Sequence, residues 1–94
     1  MNANEEKNKK IVVLVAEMRR PFTTSISDVE FERIMRLYCD TLRYIVGDDS
    51  RFAGVIKDLQ APVRDYAGRM NSPDWVNACL ASVAKRIELA FKSR

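Results

Sequence analysis

KKIVVLVAEMRRP (Lys9–Pro21) is the most apolar stretch of the chain, and its reading decides the fold class. Residues 11–16 are six apolar residues in a row, four of them β-branched. That pattern fits a buried strand, a buried helix or a membrane-seeking segment. The run is far short of the roughly 20 residues that a membrane span needs. A strand apolar on both faces would need neighbours on two edges and cover above and below. No other segment reads as a strand. In a helix, Ile11, Val12, Leu14, Val15 and Met18 share one face, with Lys10, Glu17 and Arg20 opposite. The charges also run the favourable way, with Glu5 and Glu6 in the first turn, Arg19 and Arg20 in the last, and Pro21 just beyond. β-branching costs only about a few tenths of a kcal/mol per residue in a helix, which burial overrides. The stretch reads as a helix over 5–20; the competing arrangement is a strand paired across a dimer.

Working outward, SISDVEFERIMRLYCDTLRYIVG predicts a second helix over 27–46. Ser27 and Glu30 form a capping box, and Ile26 and Phe31 fit a hydrophobic staple. Phe31, Ile34, Met35, Tyr38, Leu42 and Ile45 recur at spacings of three and four, and Gly47 sits where a left-handed residue stops a helix. A third helix is expected over 49–70, capped by Asp48 or Asp49. Phe52, Val55, Ile56, Leu59, Val63, Tyr66 and Met70 hold one phase across Pro62, where the missing N–H predicts a kink. Ser72, Pro73 and Asp74 open a fourth helix over 73–92, with Trp75, Val76, Cys79, Leu80, Val83, Ile87, Ala90 and Phe91 covering a wide apolar arc. PFTTS reads as an ordinary linker. The expectation is an all-α, single-domain four-helix bundle spanning 1–94, its third helix kinked at Pro62, with no intramolecular sheet.

Composition agrees. With 47% apolar and 31% charged residues the 94-residue chain is globular rather than disordered, and three Gly and three Pro supply few turns for a β fold. A net charge of +3, from 16 basic and 13 acidic residues, is a mild excess for a nucleic-acid binder. The N-terminus, MNANEEKNKK, lacks a secretory signal, which points to the cytoplasm and to reduced thiols at Cys39 and Cys79.

The chemistry is sparse. There is no histidine, so His-dependent triads and the commonest general acid–base residue are excluded. The two cysteines lie 40 residues apart, with no CxxC spacing, and neither a GxGxxG nor a P-loop occurs. No catalytic residue, metal or cofactor is expected. Cations fall in register with acids four residues earlier: Glu6 with Lys10, Glu32 with Arg36, Asp65 with Arg69, Glu88 with Lys92. A phosphate-binding face keeps its cations unpaired. On the third helix, Gly54, Ala61 and Gly68 form a small-residue row that is read as solvent-exposed, since Asp58 and Asp65 interleave it.

The most informative feature is a second apolar stripe on the second helix, the row Arg33, Leu37, Asp40 and Tyr44. Large apolar and aromatic side chains flanked by arginine are what interface centres use. The alternative is that the first helix covers Leu37 and Tyr44. Burial is favoured for Leu37 and an interface for Tyr44, whose hydroxyl needs a polar contact. The chain therefore reads as a non-enzymatic module, an adaptor, chaperone or phage-type inhibitor, binding another protein or a second copy of itself. A small basic nucleic-acid-binding regulator is the runner-up, and a subunit of a larger helical assembly comes third.

Overall fold

A computed structural model describes residues 3–60 and 70–92. Four helices carry the architecture: α1 (Ala3–Met18), α2 (Asp28–Val46), α3 (Ala53–Gln60) and α4 (Pro73–Lys92). The stretch that opened the question is helical through Met18. α1 packs against both α2 and α4, and so does α3. The core thus lies between α2 and α4, with the other two helices closing it. Phe52, Leu42, Val76, Ala84 and Ile87 have no accessible surface there, and Ile11, Leu14 and Met18 reach it from α1. Truncating a side chain such as Leu42 to Ala at this depth costs about 2–5 kcal/mol.

The local signals hold at most helix ends. Ser27 caps α2, its side chain accepting from the Glu30 N–H at 3.2 Å. Gly47 ends that helix with φ of 59°, donating to the Arg43 carbonyl at 2.8 Å. Only glycine adopts this conformation without a Cβ clash. Ser72 accepts from the Trp75 N–H at 3.3 Å, with Pro73 at the first helical position. Asp49 caps a short 3-10 turn, Ser50–Phe52, rather than α3 directly.

Three expectations need correction. Val12 does not share the buried face of α1; it is 63% exposed, because it lies about 100° round the helix from Ile11. α1 also stops at Met18, so Arg19 and Arg20 lie just past its end. Second, the third helix does not reach Met70, and a small sheet exists. β1 (Ile26–Ser27) pairs antiparallel with β2 (Met70–Asn71), Ile26 opposite Asn71 and Ser27 opposite Met70. The expected kink at Pro62, with Val63 and Tyr66, lies outside the described residues. So do Ala61 and Gly68 of the small-residue row; Gly54 is exposed, and a Cβ added there would meet the Arg86 guanidinium at an ordinary 3.8 Å.

Third, PFTTS is more than a linker. Asn77 on α4 accepts from the Phe22 N–H at 2.8 Å and donates to the Phe22 carbonyl at 3.1 Å. One carboxamide thereby satisfies both main-chain groups of a residue on the way from α1 to α2.

Candidate functional site

Leu37 and Tyr44 are not covered by α1. They are 62% and 82% exposed, which overturns the expected burial of Leu37. The reason is rotational. α1 engages the flank of α2 that carries Tyr38 and Ile45, both partly buried against the core. Leu37 lies about 100° round from Tyr38, at the outer edge of the face that α1 packs on. The helices run antiparallel: Lys10 meets Tyr44 at one end, and the Tyr38 hydroxyl donates to the Glu17 carbonyl at 3.4 Å near the other. Burial, aided by Glu17, raises the Tyr38 pKa, so the phenol stays a donor.

An open groove of about 540 Å³ runs between the two helices. Lys9, Lys10, Val13, Leu14 and Glu17 form its α1 side; Leu37, Tyr38, Thr41, Tyr44 and Ile45 form its α2 side. Of the four residues singled out in sequence, Leu37 and Tyr44 therefore line the groove. Arg33 and Asp40 are exposed but lie on the far shoulder of the α2 ridge. Val13, Lys10 and Thr41 are the residues that sequence reasoning missed. Val13 is 62% exposed, and its position off the Ile11–Leu14–Val15–Met18 arc was the available signal. The Lys10 ammonium sits 5.4 Å from the centre of the Tyr44 ring, a cation–π contact that holds the ring over the groove mouth.

The expected charge pairs are only partly realised. Glu32 pairs with Arg36 at 2.6 Å, but Glu88 turns to Arg19 and Lys10 turns to Tyr44. Asp65 and Arg69 lie outside the described residues. Arg86 of α4 reaches Asp58 of α3. These pairs are exposed and contribute little individually.

Chemically the groove offers an apolar floor, a phenol and a hydroxyl, with ammonium groups at one end and a carboxylate at the other. Cys39 is buried and Cys79 partly so, both as free thiols away from the groove lining. Burial pushes both thiols up, which keeps them protonated and unreactive. Among the described residues no group of three or more His, Cys, Asp or Glu side chains is placed to hold a metal ion, and no helix is long and apolar enough to cross a membrane. Comparison of the chain with protein-family models, with curated proteins and with solved structures finds no match.

Proposed function

We infer that this chain is a non-enzymatic protein-interaction module that binds a partner protein through the α2 ridge and the groove beside it. One observation carries this reading: Val13, Leu37 and Tyr44 are large apolar side chains exposed side by side around an open groove. Exposing such groups together is unfavourable in a lone soluble domain, and contiguous patches of this kind mark contact surfaces. An aromatic and a leucine beside arginine also match the composition of interface centres. The corresponding roles are adaptor, assembly chaperone or phage-type inhibitor, acting in the cytoplasm.

Nucleic-acid binding is the weaker reading. Arg33, Arg36 and Arg43 are exposed on α2, but Arg36 is already tied to Glu32.

The test uses Leu37→Ala and Tyr44→Ala. Since both side chains are exposed, each variant is expected to melt within about 0.5 kcal/mol of the parent. Association should weaken by about 1–4 kcal/mol per substitution. In a nuclease-treated pull-down, one stoichiometric protein should be retained by the parent and lost by the variants. Equal retention by parent and variants would reject the site. Salt-dependent retention of nucleic acid instead would favour the second reading.

A further inference from the structure

The pattern of charge along α2 specifies more than a contact surface. An α-helix rises about 1.5 Å and turns about 100° per residue. Taking Leu37 as origin, Arg33 lies about 6 Å below it and Asp40 about 4.5 Å above it, both on the same shoulder. Glu30 and Tyr44 lie about 10.5 Å below and above, close to the centre line. All five are on the exposed side of the helix. Among the described residues Glu30, Arg33 and Asp40 have no ion-pair partner.

This row is complementary to itself in one orientation. A twofold axis that sets two α2 helices antiparallel reverses the axial positions and keeps each shoulder on its own side. With the axis at Leu37, the leucines meet, and Arg33 of each copy faces Asp40 of the other at nearly the same height. Tyr44 faces Glu30 of the second copy, whose carboxylate can accept from the phenol. That carboxylate also approaches Lys10, which sits over the same ring. The leucine pair sits on the axis and every other contact occurs twice, as an isologous interface requires. A parallel pair would set Arg33 against Arg33 and Asp40 against Asp40, which repels. Charge of this kind fixes orientation and register more than it adds affinity.

From this we propose that the partner of the α2 ridge is a second copy of this chain, packed antiparallel about a twofold axis at Leu37. The proposal rests on the reading of the ridge as a protein-binding surface and names its occupant. With a single leucine and tyrosine from each copy at its centre, the interface is at the small end of specific ones. The dimer is expected to form with a dissociation constant on the order of tens of micromolar.

Sedimentation equilibrium of the full chain tests this, with circular dichroism melting as the control for folding. The parent should show a monomer–dimer equilibrium. Arg33→Asp alone and Asp40→Arg alone should each weaken it by about tenfold or more. Mixing the two single variants should restore a dimer, because the introduced Asp at 33 then faces the introduced Arg at 40, and the unaltered Asp40 faces the unaltered Arg33. A parent that stays monomeric at millimolar concentration overturns the proposal, as does a dimer indifferent to both substitutions. If the parent is monomeric and Leu37→Ala still abolishes binding of a different protein, only the second copy is ruled out. If Leu37→Ala changes no association at all, the reading of the ridge falls with it.

Discussion

Asn71 joins two segments that are far apart in sequence. It is 4% exposed, and its carboxamide donates to Asp28 Oδ1 at 2.7 Å and to the Ile26 carbonyl at 3.4 Å. Asp28 is equally buried, and its Oδ2 has no hydrogen-bond partner among the described residues. The carboxylate therefore depends heavily on its one contact. Replacing Asn71 with Ala removes the partner of the buried Asp28 side chain, and should cost about 1–3 kcal/mol, read by urea denaturation. A loss below about 0.5 kcal/mol would mean that water or another group takes over the carboxylate. Nothing local in NSPDW advertises this role, because the partner lies 43 residues earlier.

At the scale of elements, the link from α2 to α3 depends on Asp49. Its carboxylate accepts from the Arg51 N–H at 3.0 Å and from the Arg51 guanidinium at 2.7 Å, and Lys7 of α1 approaches at 3.4 Å. The Arg51 side chain first, then its main-chain N–H, with a smaller contribution from Lys7, hold the Asp49 carboxyl well below its ordinary value of 3.8. A depressed folded-state pKa means the ionised form is the stabilising one. That contribution is present above the ordinary carboxylate range and is lost as pH falls toward the folded value. Acidification from about pH 4 to about pH 2 should lower the parent's melting temperature more than that of Asp49→Asn. Equal slopes would show that the turn is not held by this charge. The caps at Ser27, Asp49 and Ser72 were legible because each is satisfied within three residues. The β1–β2 ladder was not, since two-residue strands carry no alternation to read and pairing is set by distant chain.

For the whole molecule, the bundle was legible because four amphipathic patterns need one another's apolar faces. The site was only half legible. Periodicity placed Leu37 and Tyr44 off the α2 core face, but which flank α1 would choose depends on how Leu14 and Val15 pack. The same packing leaves Cys39 and Cys79 as free thiols, so no covalent link supports the fold. Reductant should leave the melting temperature unchanged; a fall of several degrees would reveal a disulfide in solution.

The β1–β2 ladder also bears on the order of folding. α1 with α2, and α2 with α3, are neighbours in sequence and meet at low loop-closure cost. Ile26 with Asn71, and Phe22 with Asn77, close spans of 45 and 55 residues. Contacts of that separation are expected to consolidate after the rate-limiting step, once the helices have docked. The stability lost in Asn71→Ala should then appear almost wholly as faster unfolding, with the refolding arm of a stopped-flow chevron nearly superimposable on the parent's. On this account the ladder does not guide the chain to its fold; it sets how long the fold lasts.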